Sequence, residues 1–262
     1  MSQIKHEQGY IIVASNTSEV NYVQCARTLS ASIKYWHPDA KICLLTNNQT
    51  EVNSSFDYVQ SFPYPENTNP YANDWQVFRA SPFRETIKLE ADMLITSPID
   101  HWWTLLQNRD IVISTGCRDW KDQKAKARHY RKVFDVNNLP DVYNAITYWR
   151  LSQTAQEFFQ TVRNIFENWQ EFKKLLKFPE DVPSTDVVYA MAANILGPEK
   201  CTLPFASYPQ IVHMKRHIAG TQRDQWHNEL LWEFNNYILK INTMAQYAAV
   251  HYNQKELANE FR

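Results

Sequence analysis

The opening of the chain constrains it most. GYIIVAS (9–15) and KICLLTN (41–47) are short, apolar, β-branched runs. Between them Val20, Val23, Ala26, Leu29, Ile33 and Trp36 recur near helical spacing, until HPD (37–39) stops the helix. Two strands joined through a helix make a βαβ unit, and such units build parallel sheets. The expected class is therefore α/β, with a mixed, mainly parallel sheet flanked by helices.

The pattern continues along the chain. FDYVQSF (56–62), ETIKLEADMLI (85–95), RDIVIST (109–115), DVYNAITYW (141–149) and PQIVHMK (209–215) read as strands, and the Pro- and Asn-rich stretch 63–74 reads as a loop. A short helix follows Ser97–Asp100. Residues 152–172 form an amphipathic helix with Ser152 as N-cap, and 184–197 a helix with a cap and a Gly stop. Residues 224–258 read as C-terminal helix, broken near 235–237. No repeat or linker appears, so 1–262 is expected to be one domain, with a basic insert at 118–139 and C-terminal helices over 222–262.

Composition excludes several classes. Only four glycines are present, and neither GxGxxG nor GxxxxGK[ST] occurs. The four cysteines are scattered with no CxxC pair, which argues against zinc and fits reduced thiols in a cytoplasmic setting. No run is long enough to span a membrane. Net charge is −1, yet Arg118–Lys132 holds seven Lys or Arg against Asp119 and Asp122. Such a run is either a solvated face or a patch that touches phosphates.

The chemistry concentrates in KLEADMLITSPID (88–100), where Glu90 and Asp92 end an apolar run. In open α/β sheets ligands sit at the carboxyl ends of strands. Two carboxylates on one side of an extended chain repel unless a cation lies between them. Hard oxygen ligands suit Mg²⁺ or Mn²⁺, with substrate phosphates completing the shell, and an imidazole from His213 tilts the choice toward Mn²⁺. A surface turn with unrelated acids is the alternative.

The order of segments adds to this. YIIVASNTSEVNYVQCARTLSASIKYWHPDAKICLLTN, TIKLEADMLITSPIDHWW, YNAITYWRLSQTAQEFF, STDVVYAMAANIL and IVHMK together resemble, in order, the elements of glycosyltransferase family 8, whose fold is of the GT-A type. The resemblance implies a metal-dependent transferase that takes its sugar from a nucleotide-sugar donor, a UDP-sugar, with retention at the anomeric carbon. It makes Asp92 and His213 metal ligands and puts Glu90 where the family has an Asp touching metal and ribose. Ser15 and Asn16 fall where uracil and ribose are held. Tyr22 is a candidate to stack on the base, or else a core aromatic. Arg79 and Arg84 stand where a basic residue approaches the diphosphate. The family's H-x-x-G-x-x-K-P-W closure is absent after His213, and HMKRHIAG brings Lys215 and Arg216 there instead, to neutralise the leaving diphosphate or to face solvent. The same resemblance implies that Asn144 and Asp186 would face the sugar. Asp186 either stabilises its cationic state, positions the acceptor or caps a helix.

The acceptor is read from the insert GCRDWKDQKAKARHYRKVFDVNNLP (116–140), where cations alternate with Trp120, His129, Tyr130 and Phe134. That composition grips a nucleic-acid backbone and stacks on bases. Lys124, Lys126, Arg128 and Arg131 are thus candidate DNA contacts. The style resembles bacteriophage enzymes that add sugars to hydroxylated or hydroxymethylated cytosine. A glycan or small-molecule acceptor, a nucleotidyltransferase and a non-catalytic nucleotide-sugar-binding module remain the other readings.

Overall fold

The computed structural model describes residues 3–47, 55–66, 69–125, 131–204 and 208–261. Strands β1 (His6–Val13) and β2 (Ile42–Leu45) pair in parallel, joined through the helix Tyr22–Trp36. The helix starts where Asn21 accepts the Gln24 N–H and Asn16 accepts the Val23 N–H, which satisfies two of its open donors.

The central sheet has the order β3–β2–β1–β4–β7–β6, with β3 (Tyr58–Gln60), β4 (Phe83–Glu90), β6 (Ile111–Thr115) and β7 (Val142–Arg150). β1, β2, β3 and β4 are mutually parallel, while β7 runs antiparallel between β4 and β6. β1 lies between β2 and β4, so the chain order reverses there and opens a crevice at the carboxyl ends of β1 and β4. Gly9 permits the β1–β4 approach, because a Cβ there would meet the Phe83 ring at 2.4 Å.

Both sheet faces are covered, which is why the strands read as unbroken apolar runs. Tyr10, Ile12, Ile87 and Leu89 face the side of the helix Tyr22–Trp36. Ile11, Cys43 and Leu45 face the helices Gln153–Glu167 and Thr185–Leu196. Ser152 and Ser184 cap those two helices as their positions predict. The first breaks at Asn168, and a second helix, Trp169–Leu176, follows.

Further sequence expectations change, and the stretch 63–74, read as a loop, runs into a short 3-10 helix at Pro70–Gln76. The run 85–95 is two strands, since Ala91 and Asp92 form a turn between β4 and β5 (Met93–Ile95). The expected C-terminal helices are largely strands: β9 (Trp232–Asn235), β10 (Ile238–Ile241), β11 (Met244–Ala245) and β12 (Ala249–His251), with two short 3-10 turns. Asn236–Tyr237 and Asn242–Thr243 have positive φ, the backbone that tight hairpin turns demand. The break expected near 235–237 is thus the first of two hairpin turns.

β5, β12 and β8 (Ile211–His213) form a separate sheet, with β12 antiparallel to β5 and parallel to β8. Its register sets His251 opposite both Met93 and His213. This small sheet is what brings the end of the chain to the turn at Asp92. Among the described residues, no helix is long and apolar enough to cross a membrane.

Candidate active site

A cavity of about 490 Å³ opens at the carboxyl ends of β1 and β4. Of the candidates named from the sequence, Ser15, Tyr22, Glu90, Asp92, Asn144, Asp186, His213 and Lys215 line it. Asn16 does not line it; its side-chain carbonyl is spent at the start of the helix Tyr22–Trp36. Arg79, Arg84 and Arg216 are also absent from the lining. Arg84 pairs with Glu7 at the opposite end of β4, six residues and roughly 20 Å of strand from Glu90.

The centre of the cavity is a charged cluster that the sequence reading saw only in part. His251 Nε2 lies 3.0 Å from Asp92 Oδ2, and its Nδ1 lies 3.4 Å from Glu90 Oε2. Lys255 Nζ donates to Asp92 Oδ2 at 2.6 Å and to the Asn253 carbonyl at 2.7 Å. His251, and not His213, is therefore the imidazole that meets both carboxylates. His213 lies beside it on β8, its ring stacked on that of His251 at 4.6 Å, and its Nδ1 accepts from Asn253 Nδ2.

The local fields differ sharply. Burial pushes Glu90 above the ordinary carboxylate value despite His251 nearby. Burial acts in the same direction on Asp92, but His251 and Lys255 outweigh it and hold Asp92 well below that range. Burial alone would lower His251; Asp92 and Glu90 reverse this and raise it. Burial, helped by the positive field of His251, pushes His213 well below its ordinary value.

These residues fit a divalent ion. One donor atom each from Glu90, Asp92 and His251 lies within 4.8 Å of the others. His251 Nδ1 is buried without a hydrogen bond although Glu90 Oε2 is beside it. Two carboxylates and an imidazole are a donor set that suits a divalent cation.

Deeper in the cavity, Lys88 is buried and pairs with Asp74 at 2.6 Å. Tyr189 Oη donates to Asp74, and Asn144 Nδ2 reaches the same carboxylate at 3.4 Å. The Asn144 backbone N–H donates to Asp186 Oδ1 at 2.8 Å. Asp186 sits in the first turn of its helix, where a negative charge meets the positive end of the helix dipole, and Ser184 does the capping. Lys88 and Asp74 were missed by the sequence reading. A lysine inside the apolar run TIKLE, on the same face as Glu90, was the available signal.

Among the described cations of the basic insert, Lys121, Lys124 and Lys132 are exposed and Arg131 is buried. Arg131 is buried, pairs with Asp141 and Asp186, and lies 3.7 Å from the Phe134 ring centroid and 4.3 Å from that of Tyr143. It is a structural cation, which corrects its assignment as a DNA contact. Trp120 and Phe134 are buried too. Arg118 pairs with Asp122. Lys124 is exposed, and Lys126 and Arg128 lie outside the described residues.

No protein-family model and no curated protein matches the sequence. Solved structures do match the architecture. An active-site mutant of LgtC aligns with a TM-score of 0.53 at 12% identity, over 97% of this chain and 94% of that one. The galactosyltransferase LgtC in complex with donor and acceptor sugar analogs gives 0.53 at 13%, over the same shares. The glycosyltransferase GlyE of Streptococcus pneumoniae TIGR4, in its apo form, gives 0.52 at 12%, over 97% of this chain and 60% of that one. The fold is that of the GT-A glycosyltransferases. Within this GT-A frame the charged cluster lies at the strand ends beside the β1 crossover, where an open α/β sheet binds its ligand.

Proposed function

We propose that the protein is a metal-dependent glycosyltransferase that moves a sugar from a UDP-sugar to an acceptor hydroxyl. The observation that carries this reading is the Glu90–Asp92–His251 cluster at the carboxyl ends of a GT-A sheet, with Lys255 beside it. Ser15 and Tyr22 line the cavity near β1 and would hold the nucleoside. Glu90, Asp92 and His251 would hold Mn²⁺ or Mg²⁺, which supplies Lewis-acid charge to a departing diphosphate.

The chain's own residues then account for the rest. Lys255 and Lys215 bring positive charge to the diphosphate side, and groups aimed at developing charge are the largest catalytic contribution. Asn144, Asp186, Lys88 and Asp74 form a polar wall that suits a sugar rich in hydroxyls. The transferred sugar passes through an oxocarbenium-like state. In this reading Asp186, held by the Asn144 N–H and Arg131, would stabilise that positive charge, and the transfer would retain the anomeric configuration.

Burial of Arg131, Trp120 and Phe134 removes much of the support for DNA as acceptor, so a glycan or small-molecule hydroxyl is the better reading. The test is hydrolysis of a panel of UDP-sugars with Mn²⁺. Release of UDP from at least one donor, abolished by EDTA, is expected. No release from any donor under either condition would count against the assignment.

A further inference from the structure

Lys255 and the proposed metal site share the Asp92 carboxylate. Asp92 Oδ2 accepts from Lys255 Nζ at 2.6 Å and faces His251 Nε2 at 3.0 Å. A carboxylate oxygen offers two lone-pair directions, and both are engaged by these nitrogens. A divalent ion that binds this oxygen therefore needs one of them to leave.

The two differ in how easily they move. His251 sits in β12 between β5 and β8, and the His213 ring stacks on it. Lys255 follows that strand, keeps 28% of its side chain exposed, and carries its ammonium on a flexible stem. Its second bond goes to the Asn253 carbonyl only two residues away, and the Tyr22 ring centroid is 5.9 Å from Nζ. Without the ammonium, the paired carboxylates would face each other with less compensation.

We propose that Lys255 is the resident counter-ion of the metal site, and that a divalent ion binds by displacing its ammonium from Asp92 Oδ2. This rests on the reading of Glu90, Asp92 and His251 as ligands. The displaced ammonium stays in the cavity as a charge that a diphosphate can compensate. Metal alone is thus bound weakly, and metal and nucleoside diphosphate bind cooperatively, each raising the affinity for the other by the same factor.

The test is Mn²⁺ titration followed by electron paramagnetic resonance, with and without UDP, on the parent, Lys255→Met and Lys255→Arg. Without UDP, Lys255→Met is expected to bind Mn²⁺ about tenfold tighter than the parent, within the ordinary range of coupling factors. Lys255→Arg keeps the charge and is expected to match the parent. The UDP-dependent gain in Mn²⁺ affinity shrinks in Lys255→Met. Circular dichroism verifies that each variant is folded at the titration temperature. Should Lys255→Met bind Mn²⁺ no tighter while the parent binds it, the exchange is wrong and the ligand assignment survives. If the parent fails to bind Mn²⁺ even with UDP, both ideas fall.

Discussion

Lys255 and Asp92 are 163 residues apart in the chain, and their side chains meet at 2.6 Å. The contact exists because β12 runs antiparallel along β5 and delivers the end of the chain to the turn after β4. The Tyr252 N–H extends this ladder to the Asp92 carbonyl. Asp92 therefore ties the end of the chain to this turn, and under the proposed function it also holds the ligand.

A substitution there should show both. Asp92→Asn leaves a buried imidazole and a half-buried ammonium without their counter-charge. Breaking such a pair is expected to cost about 3–5 kcal/mol, or roughly 6–20 °C in Tm for a chain of this size. Mn²⁺-dependent UDP binding is expected to disappear as well. Calorimetry for stability and isothermal titration for UDP check the two effects separately, and an unchanged Tm would show that the pairs are energetically idle.

The pH dependence has opposite signs for stability and for metal binding. His251 is raised above its ordinary value of 6.5 in the folded state. Its contribution to stability is therefore fully present below that value, and is lost as pH rises through the raised one. An imidazole must be unprotonated to bind a metal, so Mn²⁺ affinity should rise over the same window. Melting scans in EDTA and Mn²⁺ titrations from pH 5.5 to 9 give the comparison, those limits being chosen to span roughly the range of a perturbed imidazole. In His251→Gln both slopes should flatten.

Arg131 tests whether the basic insert is structural. It is buried with two carboxylates against it, so Arg131→Met should destabilise the protein by about 3–5 kcal/mol. Urea unfolding of the variant measures this. A change below about 0.5 kcal/mol, typical of surface substitutions, would return Arg131 to the solvated face.

Asp186 tests the sugar end of the cavity. If it stabilises positive charge that develops only in the reaction, Asp186→Asn should lower turnover by about 10²–10³ while leaving UDP affinity nearly unchanged. Kinetics with the best donor, beside UDP titration, separate the two quantities. An equal loss in both would make Asp186 a ground-state binding group.

What the sequence revealed follows the range of the interactions. The parallel sheet and the helix caps at Ser152 and Ser184 are set by neighbours in sequence, and periodicity exposes them. Glu90 and Asp92 were visible because charge at the end of an apolar run is costly. His251 and Lys255 were hidden because their role depends on a pairing across most of the chain. Their surroundings were also misread as helix, although the alternating burial of Ile238–Ile241 and the Asn-bearing turns mark a meander. His213 and His251 both end apolar strands and are partners across β8 and β12, so only the side-chain geometry shows that His251 is the one beside Glu90 and Asp92. Within the charge run at 118–132, Arg131 departs from the expectation for a related reason, since composition does not tell a surface arginine from one buried between carboxylates.

The most direct measurement of the central claim is the melting temperature with UDP, in Mn²⁺ and in EDTA. A ligand that binds only the native state adds about 2.7 kcal/mol at one hundred times its Kd, which is about 5–10 °C here. The account predicts that rise with UDP and Mn²⁺ together, and almost none with UDP in EDTA. Equal shifts in the two conditions, or no shift in either, would contradict a nucleoside diphosphate held through a metal at Glu90, Asp92 and His251.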